Sequence, residues 1–435
     1  MARATTRNGR ESRAARQARL ERAARRVSVP DACDVCVVGC GAAGTVAATV
    51  AAEAGASVVA LDAATEVART ILATGNGRCN LSNEHVDPVR YNAPDFVSPI
   101  LGDDAGERVL AWFDGCGLAC TSIDGRLYPR SLSAASVRDV LLARAAASGA
   151  TLAPMRGVTH VEHTAGGATA SSGGELLVTY RESFDGGRER TLCARCVVVA
   201  LGGPRDGLAC LEPLAGLRLS LAPASPVLCP IACRMDGLAA LDGRRATARI
   251  TLERDGDELA AEAGELLFRE YGVSGIAVFD LSRVAAAGDT LRIDLVPEKD
   301  EAEVERMLSS RDMRVALRGL VSPEIADALL GSMAEADAAQ AARLIKGLRL
   351  RVTGLADTGH AQVTRGGLSL GDFDARTLAA RGVEGLFACG EALDVDADCG
   401  GFNLTWAWLS GQVAGTNAAA LASHAAHIAR ANTTP

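Results

Sequence analysis

The segment DVCVVGCGAAGTVAATVAAEAGASVVALD, from Asp34 to Asp62, constrains the fold more than any other part of the chain. A short apolar run meets a glycine-rich turn, an Ala-rich stretch of helical length follows, and a second apolar run ends in an acid. That order predicts a βαβ unit. The GxGxxG pattern falls on Gly39, Gly41 and Gly44. Gly39 permits the tight turn, Gly41 lets the backbone approach a pyrophosphate, and Gly44 lets the helix pack close to the sheet. The helix start offers free N–H groups and the positive end of its dipole to phosphate. Asp62, 18 residues after Gly44, is placed to accept from a ribose hydroxyl. The pattern leaves NAD and FAD both open.

The next loop favours FAD. TILATGNGRCNLSN places Gly75, Gly77 and Arg78 in a polar loop where a plain NAD-binding unit would enter another helix. A second glycine-rich loop implies more phosphate and sugar to hold. RCVVVALGGP then reads as a strand ending at Gly202 and Gly203, and GVEGLFACGEALD as a strand running into Gly390 and Glu391. A late strand ending in Gly plus acid is how two-dinucleotide flavoprotein folds reach the ribityl chain.

Composition narrows the remaining classes. A chain of 435 residues can bury a large core in two or three lobes. No apolar run is long enough to cross a bilayer. The formal charge is −8, but residues 1–30 hold nine Arg and two Glu, leaving −15 on the rest. An acidic body argues against a nucleic-acid surface on the globular part. Residues 1–30 read as a basic, mobile tail, with docking to an acidic partner, RNA or anionic lipid as the sharper alternative. Lys299 and Lys346 are the only lysines, so a P-loop is excluded and Schiff-base chemistry has almost no candidates. Thirteen Cys without a secretory signal point to a reducing cytoplasm. Cys33/Cys36 and Cys193/Cys196 form two CxxC pairs at the starts of apolar strands. Four thiols on neighbouring strands could hold zinc, but small buried hydrophobes is the plainer reading, and no metal is expected.

Taken together, VVGCGAAG, ATGNGRCNLSN, DGRLYPRSLSAASVRDVLL, GELLFREYGVSGIAVFDLSR, AQVTRGGLSL and FACGEALDVDADCGGFNLTWAW resemble the HI0933-like flavoprotein family. That family includes BaiN-type reductases and aminoacetone-oxidase-type enzymes, and the resemblance runs from about Asp34 to Gly415. It implies an α/β fold: a glutathione-reductase-like, FAD-binding Rossmann domain with an inserted β-barrel plus helical domain. The FAD domain would comprise residues 31–204 and 356–435, and the insert, a substrate or cap domain, 205–355. Within the insert, ARITLERDGDEL resembles a hairpin turning at Asp255-Gly256, and Pro323 enters a helix. The resemblance also implies a cofactor set: Gly39, Gly41, Ala43, Gly44, Asp62 and Arg69; the run Gly75, Asn76, Gly77, Arg78, Cys79 and Asn80; Val158, Gly202 and Gly203; and Gly390, Glu391, Asp394, Gly400, Gly401, Phe402 and Asn403. Thr70 stands where many relatives have Lys, and the loop after Gly203 is short.

The stretch DVDADCGGFNLTWAW fails as a calcium loop, because counting from Asp394 its sixth residue is Cys399 and its twelfth Thr405. It reads instead as the flavin-ring end. Glu391 and Asp394 would hold ribityl or ribose hydroxyls. Gly400 and Gly401 would let the backbone approach the ring. A helix starting at Phe402 would aim its positive end at the pyrimidine side. Trp406 and Trp408 read as core. Cys79 and Cys399 read as small residues packed by the cofactor, with a redox thiol or proton donor as the alternative. Tyr128 and His360 are general-acid candidates. The HxxH pairs, His160/His163 and His424/His427, lack a third metal ligand. The resemblance implies hydride transfer through flavin N5, with NAD(P)H as a transient donor reducing an activated, enone-like C=C of a small molecule. An amine oxidase releasing peroxide and a non-catalytic flavin-binding partner protein are the alternatives.

Overall fold

The computed structural model describes residues 11–163, 175–203, 207–310, 312–331 and 337–431. Contacts divide the chain into two compact units. One comprises Met1–Ser225 with Thr364–Pro435, the other Pro226–Val363. These divisions lie some way from the expected boundaries at residues 204/205 and 355/356.

The first unit begins with helix α1 (Arg13–Arg26), capped by the Ser12 hydroxyl, which accepts from the Ala15 N–H at 3.1 Å. The expectation of a mobile tail gives way here, while residues 1–10 lie outside the described residues. The reason is local and tertiary together. Ala and Arg favour helix, Arg25 and Arg26 suit the negative C-terminal end, and Ala24 is fully buried.

Strand β1 (Ala32–Val38), helix α2 (Ala42–Glu53) and strand β2 (Val58–Leu61) form the predicted βαβ unit. After it come β3 (Ser82–Asn83), α3 (Pro94–Leu101), α4 (Ala105–Asp114), β4 (Cys120–Ile123), β5 (Arg126–Pro129) and α5 (Ala134–Ala147). Strands β3, β5 and β4 pair as a small antiparallel sheet. The main sheet is completed by β6 (Thr151–Ala153), β7 (Arg156–His163), β8 (Leu176–Glu182) and β9 (Arg188–Val199), in the order β6-β2-β1-β9-β8-β7. Its central strands are parallel and nearly continuous in apolar residues because both faces are covered. Strand β10 (Leu221–Val227) then leads towards the second unit.

The second unit is a closed barrel with a helical insertion. Its elements are β11 (Ile231–Cys233), β12 (Arg245–Arg254), β13 (Asp257–Arg269), β14 (Gly272–Ser274), α6 (Ile276–Ser282), β15 (Thr290–Asp294), α7 (Glu301–Ser309), α8 (Met313–Arg318), α9 (Pro323–Gly331), α10 (Ala338–Lys346) and β16 (Leu348–Leu355). The barrel closes as β11-β14-β13-β12-β15-β16. Asp255 and Gly256 both adopt positive φ, 53° and 97°, and join β12 to β13 as a two-residue hairpin turn. Pro323 opens α9, as the sequence indicated. Capping boxes at Asp300/Glu303 and Asp337/Gln340 start α7 and α10. Ile250, Leu252, Phe268, Leu291 and Ile293 point inward and form the core of this unit.

The chain returns to the first unit through β17 (Val363–Leu368), adds β18 (Leu386–Ala388) in parallel to β9, and ends in α11 (Phe402–Ala431). Both chain ends therefore flank one strand. Among the described residues, no helix is long and apolar enough to cross a membrane.

Candidate functional site

The glycine turn closes between β1 and α2. Gly39 takes φ 99°, and a Cβ there would lie 2.4 Å from the Ala200 carbonyl oxygen. At Gly44 a Cβ would lie 1.9 Å from the Gly39 oxygen. Gly41 differs, since its nearest neighbour would be Thr70 Oγ1 at 3.6 Å, an ordinary contact. Gly41 also caps α2 without a side-chain hydrogen bond, so the first N–H groups of this helix keep a positive end with no side chain spent on it. The protein itself requires Gly39 and Gly44 but leaves room above Gly41. That space is what a pyrophosphate needs.

Asp62 ends the β2 side. Its Oδ2 accepts from the Cys40 N–H and its Oδ1 from the Ala64 N–H, both at 2.7 Å. A carboxylate has about four acceptor sites, so these bonds orient the group and leave capacity for a hydroxyl. Val158 lies on β7, half-buried, beside Gly157, whose added Cβ would sit 3.4 Å from the Ala63 Cβ. Gly157 thus brings this part of β7 against the segment that follows Asp62.

The loop Arg69–Gly77 is a kinked succession of short turns. Gly75, Asn76, Gly77 and Cys79 all have positive φ. Gly75, Asn76, Gly77 and Arg78 are exposed, as are Arg69 and Thr70. Asn80 is half-buried and its Oδ1 is a buried acceptor without a hydrogen-bond partner. An orphaned buried acceptor beside an exposed run of backbone fits a sugar or phosphate-bearing ligand. Cys79 is fully buried, and burial pushes its thiol up to about 12, against the lowering effect of a hydrogen bond with Thr74. A thiolate there is disfavoured, which leaves packing as its role.

At the other end, Gly390 follows β18 with φ 62°, and a Cβ there would lie 2.8 Å from the Ala43 Cβ. Ala43 and Gly390 are therefore in contact across the two chain ends. Glu391 Oε2 accepts from the Gly203 N–H at 3.3 Å, which joins the expected Gly202-Gly203 turn to the late acid. The three aspartates each have a separate protein partner. Asp394 Oδ1 accepts from the Gly366 N–H at 2.8 Å. Asp396, fully buried, takes both Arg365 Nε (2.7 Å) and Nη2 (2.9 Å). Asp398 Oδ2 meets Arg90 Nη1 at 3.3 Å. The alternation DVDAD laces the loop to β17 and to the Arg90 segment.

Gly400 and Gly401 are expected to let the backbone approach the flavin ring and Asn403 to belong to the cofactor set, and the structure gives each a protein neighbour. A Cβ on Gly400 would strike the Phe402 ring at 2.7 Å, and one on Gly401 would strike the Ser82 backbone at 2.5 Å. Asn403 accepts from the Ala397 N–H and donates to the Ala397 carbonyl, both at 2.9 Å. Phe402 is buried, and its carbonyl accepts from the Tyr91 hydroxyl at 2.8 Å. Trp406 and Trp408 are core residues, and their indole N–H groups donate to the Gly390 and Leu81 carbonyls, both at 3.1 Å.

Tyr128 is half-buried on β5, paired with Thr121, and Cys399 is half-buried in the loop before Gly400. His360 belongs to the second unit, where its side chain is 84% exposed and its Nδ1 lies 2.6 Å from Asp357 Oδ1. Cys33 and Cys196 lie on neighbouring strands, and burial pushes both thiols up to about 12. Among the described residues no three His, Cys, Asp or Glu gather as a metal site. Sequence reasoning passed over Arg365, Gly366 and Gly367 as site residues, although VTRGG, a basic residue before a Gly pair within a short strand, was the available signal.

The family described as "HI0933-like protein Rossmann domain" matches residues 33–417. The chain is 30% identical over 411 residues to the 3-dehydro-bile acid delta(4,6)-reductase of Clostridium scindens, covering 88% of this chain and 98% of the relative. It is 26% identical to the ribosomal RNA dihydrouridine synthase of Escherichia coli, covering 87% of this chain and 96% of that one. Among solved structures, an open flavocytochrome c3 fumarate reductase aligns at a TM-score of 0.48 and 16% identity over 92% of this chain and 80% of that one. Most of the length of both sequence relatives is matched, and the family's glycine turn, second loop and late acid all meet in one unit. The chain therefore belongs to the HI0933-like family, as an FAD-dependent oxidoreductase.

Proposed function

We propose that the protein reduces an activated carbon–carbon double bond of a small, enone-like substrate, with NAD(P)H as a transient electron donor. The observation that carries this reading is the near full-length match to a relative named as a delta(4,6)-reductase. The isoalloxazine ring supplies two-electron, hydride-level chemistry when bound. The chain's own part is to hold the cofactor. The start of α2 and the space above Gly41 would take the pyrophosphate, Asp62 the adenosine ribose, and Asn80 with the exposed Gly75–Arg78 backbone further sugar and phosphate. Glu391 and Asp394, braced by the Gly203 and Gly366 N–H groups, would take ribityl hydroxyls. Only one GxGxxG turn is present in the sequence, which favours a donor that visits the flavin rather than one with its own domain.

Anaerobic absorption spectroscopy of the holoprotein tests this. Rapid bleaching of the flavin by NADH or NADPH, reversed by an enone, is the expected result. Bleaching by an amine instead, followed by reoxidation in air with stoichiometric peroxide, would overturn it in favour of an oxidase.

A second reading takes a pyrimidine double bond in RNA as substrate. It is favoured by the name of the Escherichia coli relative and by the exposed Arg residues of α1. The acidic remainder of the chain weighs against it. Incubating ribosomal RNA with the reduced enzyme and measuring dihydrouridine by mass spectrometry separates the two.

A further inference from the structure

Helix α1 lies ahead of the family match, which starts at residue 33. It is nonetheless attached to the cofactor unit at both of its ends. At its C-terminal end, Arg156 Nη1 donates to the Ala24 carbonyl at 3.3 Å and Nη2 to the Val27 carbonyl at 2.8 Å. Arg156 is buried and is held in turn by buried Glu182, with Nε to Oε1 at 3.3 Å. Arg25 and Arg156 both lie over the Phe184 ring, at 5.2 and 4.9 Å from its centroid. Towards its N-terminal end, Arg16 pairs with Glu66.

These attachments converge on one segment. The Arg156 N–H donates to the Asp62 carbonyl at 2.7 Å, and the Met155 N–H to the Ala64 carbonyl at 2.9 Å. Glu66 lies in the same loop, and the Ala68 N–H closes that loop onto the Cys40 carbonyl at 2.7 Å. Cys40 also donates to Asp62 through its own N–H. Both the segment carrying Asp62 and the glycine turn are thus tied, within one or two hydrogen bonds, to the groups that grip α1.

We propose that α1 is a clasp on the adenosine end of the cofactor site, with Arg156, Arg16 and Glu66 acting as positioning residues for Asp62. The inference rests on the reading of Asp62 as the ribose acceptor. In this role α1 touches no cofactor atom. It fixes the loop from which the ribose is held, so its undocking weakens FAD retention only through Asp62.

The test is a double-mutant cycle on the full-length holoprotein, read as FAD affinity by recovery of flavin fluorescence on dilution. Ala24→Glu places a charge where Ala24 is fully buried and undocks the helix. Its expected effect is about a tenfold loss of FAD affinity, within the range of ordinary coupling between sites. Combined with Asp62→Asn it should lose no more than the larger single change. Combined with Asp394→Asn, at the other end of the site, the losses should multiply. Arg16→Glu carries the same cycle on the surface should Ala24→Glu not fold, with an expected loss of about threefold, the size an exposed pair supports. Adding Glu66→Arg to Arg16→Glu should restore affinity. Unchanged FAD affinity in the undocked variants, or losses that multiply with Asp62→Asn, would overturn the clasp. If Asp62→Asn alone leaves FAD affinity unchanged, the ribose reading fails instead.

Discussion

The GxGxxG motif gives Gly39, Gly41 and Gly44 different roles, and the space around each of them in the fold differs accordingly. A methyl group on Gly39 or Gly44 would run into backbone oxygen at 2.4 or 1.9 Å, and Gly39 also holds φ 99°. Alanine at either position is expected to destabilise the apoprotein by about 1–3 kcal/mol, the usual cost of overpacking. Alanine at Gly41 meets only Thr70 Oγ1 at 3.6 Å. Gly41→Ala should therefore unfold in urea within about 0.5 kcal/mol of the parent apoprotein. Its FAD affinity should nevertheless fall by at least about tenfold, or about 1.4 kcal/mol. Urea melts of the apoprotein and flavin titration measure the two effects separately. An apo-stable Gly41→Ala that binds FAD normally would mean that the pyrophosphate lies elsewhere. The motif reading carried both the identity and the separate roles of these residues, while the atom that forbids a Cβ at Gly39 belongs to Ala200, a residue far along the chain.

At the scale of elements, the contact between α2 and α11 brings the two chain ends together. Gly411 and Gly415 of α11 face α2, where added Cβ atoms would lie 2.5 Å from the Ala43 oxygen and 2.3 Å from the Ala47 oxygen. Gly415→Ala should push the helices apart at a cost of about 1–3 kcal/mol in urea unfolding, with reduced FAD retention because Gly390 also abuts Ala43. In the barrel, Asp289 accepts from Arg254 Nε and Nη2 at 2.8 and 2.9 Å and from the Ala286 N–H at 2.8 Å. The Arg254 hydrogen bonds hold its carboxyl below the usual carboxylate range, despite some desolvation. A depressed folded pKa stabilises above the unfolded value near 3.9, and this contribution is lost as pH falls through the folded value. Asp289→Asn should cost about 1–3 kcal/mol at neutral pH and flatten the loss of barrel stability below about pH 4. What was legible in the sequence follows the same division. The βαβ unit, the Asp255-Gly256 hairpin and the start of α9 are set by neighbours within a few residues. The docking of α1, the SGQVAG contact in α11 and the partners of DVDAD depend on residues up to hundreds of positions away. A periodicity or a turn signal cannot encode such a partner.

Across the whole molecule, two cores form separately, one in each unit, and the candidate cofactor residues lie in only one of them. FAD binding should therefore stabilise the first unit by linkage, by about 2.7 kcal/mol at a free concentration one hundred times the dissociation constant. The sequence supplies a reporter for this, since all three tryptophans, Trp112, Trp406 and Trp408, belong to the first unit. Tryptophan fluorescence follows that unit alone, whereas far-ultraviolet circular dichroism follows both. Adding FAD should raise the urea midpoint seen by fluorescence and leave the barrel's share of the dichroism transition in place, so the two curves separate as FAD increases. In Gly41→Ala the separation should shrink, because the linkage term falls with affinity while the apoprotein is unchanged. If both probes move together at every FAD concentration, the units unfold as one, and stabilisation at the glycine turn must be transmitted through the entire chain.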